Sequence, residues 1–221
     1  MYNRCHTQLC LWYSFAMELI NTLVVLLIVI DPIGVVPIFL ALTQGGSAAY
    51  RRRMALRGTA LATGMLLIFF LIGDHLLASL GIGIPAFRIA GGALLFLLAV
   101  DMVFARPSGM RSTTVSEQKE AEHKNDISVF PLAFPLIAGP GALTSVLLMS
   151  AGWETPMMFA GMLAVLLAVL GLILASLLYA PTMMRFLGET GTNVMSRLFG
   201  LILAALAVQF ILDGIKTSFT L

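Results

Sequence analysis

Six stretches almost free of charge, at 19–43, 56–80, 87–104, 128–151, 157–180 and 196–215, recur along this chain. Each approaches the ~20 helical residues needed to cross the hydrocarbon core of a bilayer. Backbone polar groups find no water there, so the stretches have to be helices. Composition agrees: 59% of the residues are hydrophobic and 11% charged, and the mean hydropathy is +0.98. A water-soluble globule of this composition would lack the polar surface to cover itself. The expectation is an all-α membrane protein with six transmembrane helices and almost no soluble mass. That leaves no chain for a catalytic ectodomain, and a net charge of +2 carried by short loops gives no support for nucleic-acid binding.

Orientation follows from the basic residues, which are retained on the cytoplasmic side of spans. The odd-numbered loops hold Arg51, Arg52, Arg53, Arg57, Arg106, Arg111, Lys119, Lys124, Arg185 and Arg197, and the opposite side holds Arg4, Arg88 and Lys216. Both termini are therefore expected on the outer face, with "RRRMALR" (51–57) as a cytoplasmic topology anchor. Cys5 and Cys10 lie in a leader with no zinc-ligand spacing and no cleavable-signal order.

The polar stretch "RPSGMRSTTVSEQKEAEHKND" divides the chain into halves of three spans. The expected organisation is an N-terminal extension (1–16), a first three-span repeat (17–105), a cytoplasmic linker (106–127), a second three-span repeat (128–216) and a C-terminal tail (217–221). The halves share an order of features. "DPIG" at 31–34 precedes "FRIAGG" at 87–92, and "GPGA" at 139–142 precedes "SRLFG" at 196–200. Pro32 to Arg88 is 56 positions, Pro140 to Arg197 is 57, and each arginine is followed three residues later by glycine, Gly91 or Gly200. An odd number of spans per half makes the second insert upside down relative to the first, an inverted repeat of the kind found in secondary transporters.

Both break motifs fall inside apolar runs. Proline removes a helical hydrogen bond and crowds the preceding turn, so the first and fourth spans are expected to break near mid-membrane and restart. Asp31 stands at an N-cap position with Pro32 at the first helical position, and Gly139 and Pro140 repeat the design. Restarted half-helices offer amides and a positive dipole end, and incoming ones offer carbonyls. Together they suit a small zwitterion. The candidate substrate-binding set is Asp31, Pro32, Gly34, Gly139, Pro140, Gly141, Ala142, Thr144 and Ser145. The glycines at 34, 139 and 141 are expected to admit a ligand to the backbone. A carboxylate at membrane depth costs at least ~2.5 kcal/mol and a cap returns only ~1 kcal/mol, which makes Asp31 a candidate ligand or proton carrier.

Asn21, Gln209, Arg88 and Arg197 form a secondary polar set, the arginines being expected chiefly to snorkel to the interfaces. Asp74, His75 and Asp101 are read as solvated span ends. His6, His75 and His123 all lie outside the spans, and no Gly-x-Ser-x-Gly or His-Glu-x-x-His pattern occurs, so neither an enzyme nor a bound metal or cofactor is expected. The small-residue pairs Gly58/Ala62 and Ala164/Ala168 suit close helix packing and leave a homo-oligomer open.

"DPIGVVPIFLALTQG", "FRIAGG", "PLAFPLIAGPGA" and "RLFGLIL…FILDGI" resemble, in order and spacing, the MarC family of bacterial inner-membrane proteins, over about 17–216. The resemblance implies kinship with small neutral amino acid transporters of the SnatA type and, more distantly, with LysE-like exporters. It implies a multi-pass protein of the inner membrane moving a small zwitterionic or charged solute; direction and coupling ion, proton or sodium, stay open. The alternatives are an exporter of a cation or other small metabolite, and a non-transporting scaffold or regulatory protein.

Overall fold

A computed structural model of the chain describes residues 2–104, 126–150 and 155–219. These residues form α1 (Tyr2–Ile30), α2 (Pro32–Leu42), α3 (Ala48–Ser79), α4 (Ile84–Phe104), the wide-turned segment α5 (Ser128–Ile137), α6 (Pro140–Ser150), α7 (Pro156–Leu178) and α8 (Ala180–Phe219). No strand occurs among them. The expected linker, apart from Asp126 and Ile127, lies outside the described residues.

Five segments are long and apolar enough to cross a membrane: Phe15–Leu42, Ala48–Ser79, Ile84–Phe104, Pro156–Leu178 and Thr190–Phe219. The pair α5 and α6, bent by 60°, makes a sixth if counted as one span. The outward faces carry large apolar side chains, among them Ile68, Leu71, Leu97 and Leu201, each more than half exposed. Such a continuous apolar exterior fits a lipid environment and not water.

Helices extend further than hydropathy alone suggested. Ser47 caps α3, its Oγ accepting from the Tyr50 amide at 3.2 Å, so the helix starts at Ala48 and the basic stretch 51–57 is helical rather than loop. At 32 residues α3 is about 48 Å long, well beyond the ~30 Å hydrocarbon thickness, and the arginines occupy the excess. Arg51 Nη1 donates to the Gly46 carbonyl at 2.9 Å, tying the basic turn to the preceding connection. Asp74 and His75 likewise belong to the last turns of α3, both exposed. The segment 181–195, expected as a loop, is helical apart from Gly188, whose φ of 63° breaks α8 in a conformation that favours glycine.

The longest interhelical seam joins α4 and α8. A Cβ added at Gly214 would lie 2.8 Å from the Pro85 carbonyl oxygen, one at Gly92 would lie 2.8 Å from the Ala207 carbonyl oxygen, and one at Gly200 would lie 3.1 Å from the Ala99 carbonyl oxygen. As α4 advances from Pro85 to Ala99, its contacts on α8 recede from Gly214 to Gly200. The helices are therefore antiparallel and meet backbone to backbone, as small residues allow. Gly58 and Ala62 also pack within the chain: Gly58 faces Leu132 and the Ser128 carbonyl of α5. At the same end Arg57 Nη1 donates to Asp126 Oδ2 at 3.1 Å, and hydrogen bonds from Ser128 hold the Asp126 carboxyl below its usual range.

The remaining packing comes in matched pairs. α2 packs on α8 and α6 on α4; α3 packs on α6 and α7 on α2; α3 packs on α5 and α7 on α1; α1 packs on α6 and α5 on α2. The pairs α4–α8 and α3–α7 are their own mates under the same exchange, whereas the α1–α8 and α7–α8 contacts lack mates of similar extent.

Gly92→Ala is expected to destabilise the protein by about 1–3 kcal/mol through overpacking against backbone that cannot yield. Gly171→Ala in α7, where an added Cβ meets open space, is expected to be neutral or stabilising by up to about 1 kcal/mol. Unfolding midpoints of the two variants in detergent check the contrast.

Candidate functional site

The first interruption is built around Asp31. Pro32 disfavours the right-handed helical region for the residue before it, and Asp31 instead adopts φ 49°, ψ 70°, a left-handed conformation that Asp tolerates better than most residues. The Asp31 amide closes the last turn of α1 by donating to Leu27 O at 3.0 Å, and its carbonyl receives the Val35 amide at 3.2 Å. The side chain caps α2, Oδ1 accepting from the Gly34 amide at 3.0 Å. Oδ2 accepts from Ser196 Oγ of α8 at 3.1 Å. Asp31 is 1% exposed, and these two hydrogen bonds satisfy its carboxyl oxygens at the N-terminal end of α2. Gly34 makes this arrangement fit, because a Cβ there would overlap the Asp31 carboxylate and lie 2.6 Å from Ser196 Oγ.

The second interruption has a different construction. Phe130 and Phe134 are extended, at φ −130°, ψ 127° and φ −131°, ψ 129°, each preceding a proline that disfavours helical backbone. Between them the chain makes wide turns, with Leu132 N donating to Ile127 O at 3.2 Å and Ala138 N to Ala133 O at 2.8 Å. The axis then turns into α6, whose first turn closes with Leu143 N donating to Gly139 O at 3.0 Å.

The glycines at these interruptions lie in close packing. A Cβ at Gly139 would overlap the Pro135 carbonyl, and one at Gly141 would lie 2.9 Å from Leu98 Cδ2 and 3.3 Å from Val29 Cγ1. Val29, two residues before Asp31, thus touches the second interruption. A cavity of about 10 Å³ lies there, lined by Val29, Leu98 and residues from Pro135 to Ala142. That is room for about one water molecule.

A larger cavity, of about 310 Å³, lies to one side. Its polar lining is Glu18, Asn21 and Thr22 from α1, Arg88 from α4, Ser145 from α6 and Asp213 from α8. Val25, Leu148, Met149, Met162 and Phe210 supply an apolar wall. Asp213 Oδ1 accepts from Gln209 Nε2 at 2.8 Å. Ser145 is 2% exposed, and its Oγ has no hydrogen-bond partner among the described residues. A buried hydroxyl in that state costs about 1–3 kcal/mol unless water or a ligand completes it.

The candidate residues divide accordingly. Asp31 and Gly34 form the cap and the tie to α8, with Pro32 buried beside them. Gly139, Pro140, Gly141 and Ala142 line the one-water cavity. Thr144 is buried, its methyl group facing Gly91 of α4. Ser145, Asn21 and Arg88 meet in the large cavity, with Gln209 behind Asp213. Arg197 is exposed, whereas its neighbour Ser196 reaches Asp31. Sequence reasoning missed Ser196, Glu18, Thr22 and Asp213. The two acids were detectable as ionisable groups at span ends; Ser196 lies 165 residues from its partner and left no local signal.

Helices of this length and apolar exterior define a multi-pass integral membrane protein. The chain belongs to the MarC family: the family model described as "MarC family integral membrane protein" matches residues 16–219. It is 40% identical over 202 residues to UPF0056 membrane protein YvbG of Bacillus subtilis, covering 91% of this chain and 95% of that one. It is 36% identical over 191 residues to a UPF0056 membrane protein of Archaeoglobus fulgidus, covering 86% and 88%. Its identity to UPF0056 inner membrane protein YhgN of Escherichia coli is 34% over 199 residues, covering 90% and 96%. No solved structure matches the chain.

Ser196→Ala is expected to lose about 1.5–3 kcal/mol, the worth of a hydrogen bond to a charged group. Gly34→Ala is expected to cost more, because its Cβ displaces the carboxylate from both partners at once. Thermal unfolding of the two variants side by side checks the order.

Proposed function

We propose that the protein is a transporter of small neutral amino acids, working by alternating access of two inverted three-span halves, α1–α4 and α5–α8. The observation that carries this reading is the large cavity, whose walls come from both halves: α1 and α4 on one side, α6, α7 and α8 on the other. A site between two bodies is exposed to one side or the other when they rock. Four matched pairs of helix contacts support the inverted repeat, as does the antiparallel course of α4 and α8. On this reading the first and fourth spans are broken at Asp31 and Gly139 near mid-membrane. The candidate residues there act as joints, and Asp31 ties α2 of one half to α8 of the other.

The cavity holds carboxylates, a guanidinium, an amide and hydroxyls, which together suit a solute carrying both charges. The family resemblance supports the same substrate class. Given the naming of the Escherichia coli relative as an inner membrane protein, we place the chain in the bacterial inner membrane, with both termini on the outer face by the distribution of basic residues.

The test is uptake and counterflow of labelled alanine and glycine in proteoliposomes, with other amino acids, metal ions and small metabolites as competitors. Saturable uptake competed only by small neutral amino acids is the expected result. Competition by metal ions alone would favour a cation exporter, and no flux of any solute a scaffold. Asp31→Asn keeps a capping oxygen and loses the charge. If that charge carries the coupling ion, uptake is abolished while the protein still elutes as a folded monodisperse species, and full activity would remove the carboxylate from the mechanism.

A further inference from the structure

We infer that the 310 Å³ cavity, and not the backbone at the two interruptions, is the place where the substrate binds, with Arg88 holding its carboxylate and Asp213 its ammonium group. This rests on the proposed transport of amino acids and assigns the site for it.

Room is the first argument. The cavity at the second interruption takes about one water, and Asp31 lines neither cavity, its two oxygens being engaged by Gly34 and Ser196. The larger cavity, at about 310 Å³, sits at the low end of the ~300–1,000 Å³ typical of small-molecule sites. It therefore suits a small solute.

Chemistry is the second. Arg88 is half-buried and makes no ion pair or hydrogen bond among the described residues. A guanidinium in a partly apolar cavity, engaged by no anion, is a fork waiting for a carboxylate, which it can bind through two parallel N–H donors. Asp213 faces the same space. Its Oδ1 is steadied by Gln209, which leaves Oδ2 to accept from an ammonium group. The α4–α8 seam fixes the two opposite charges in register, because a Cβ on Gly214 would lie 3.2 Å from the Ile89 amide, and Arg88 and Asp213 are the residues immediately before these two.

The third argument is independent of charge. Ser145 Oγ is fully buried and unpartnered among the described residues, and it lines this cavity on a helix of the other half. A ligand reaching from Arg88 to Ser145 bridges the halves. The apolar wall of Leu148, Met149, Met162 and Phe210 then contacts the side chain, which favours a small apolar one over a charged one.

The test uses full-length protein in lipid nanodiscs and in proteoliposomes, with L-alanine, L-alaninamide (no carboxylate) and propionate (no ammonium) as probes. In competition against labelled L-alanine, the last two are expected to bind at least ~10-fold more weakly than L-alanine itself. Arg88→Gln is expected to weaken alanine binding by at least ~10-fold, Arg88→Lys by less, and Asp213→Asn to restore competition by propionate relative to alanine. As a check that does not depend on Arg88 variants folding, Ser145→Cys in a Cys5→Ser, Cys10→Ser background is expected to react with a water-soluble thiol reagent and to be protected by L-alanine but not by L-alaninamide.

Alanine uptake that is normal in wild type and unchanged in Arg88→Gln would overturn the site and leave transport standing. If wild type moves no amino acid, the transport reading fails and the site is judged by labelling alone. Protection of the introduced thiol by alanine would then support it, and equal labelling with and without alanine would overturn it.

Discussion

A helix interrupted in apolar surroundings must satisfy its loose backbone groups with protein, because such surroundings offer no hydrogen bonds. Both interruptions in this chain meet that constraint with the nearest available atoms. At the first, a carboxylate two atoms beyond its own backbone takes the Gly34 amide, and a hydroxyl from α8 takes the other oxygen. At the second, wide turns of backbone pair amides with carbonyls five residues back. Once these ends are closed, the surrounding packing follows. Val29 seats on Gly141, Gly34 clears the carboxylate, and α2 is held against α8.

The two solutions differ because the local sequences differ. Asp31 supplies a charged cap, so its interruption is sharp and confined to one residue. Gly139 has no side chain to offer, and the preceding prolines have already spread the irregularity over ten residues, Ser128–Ile137. A sharp break leaves a buried carboxyl group, whose second oxygen is met by Ser196. A diffuse one leaves a bend of 60°.

The membrane class, the number of apolar segments and the positions of both interruptions were legible in the sequence, because hydropathy, proline and Asp-Pro pairing act over a few residues. Helix extents were less so. Ser47 as a cap and Gly188 as a break were visible types whose effect depends on continuing helical backbone around them. The candidate site was only half legible. Asn21, Arg88 and Ser145 were singled out for polarity within spans, and they do converge. That Asp31 turns toward Ser196 and lines neither of the two cavities described, and that Arg88 has no protein partner among the described residues, depend on how helices from distant parts of the chain are rotated. Periodicity within one helix carries no such information.

The contact between α4 and α8 has a mechanical consequence. With carbonyl oxygens standing where side chains would otherwise intervene, the two helices have no soft layer between them, and interiors at this density resist compression. They form a stiff keel along α4 from Pro85 to Ala99. On the proposed alternating access the two halves therefore pivot on this seam, carrying with them the buried half-helices α2 and α6, each 11 residues long. The seam is accordingly expected to be the last part of the protein to loosen.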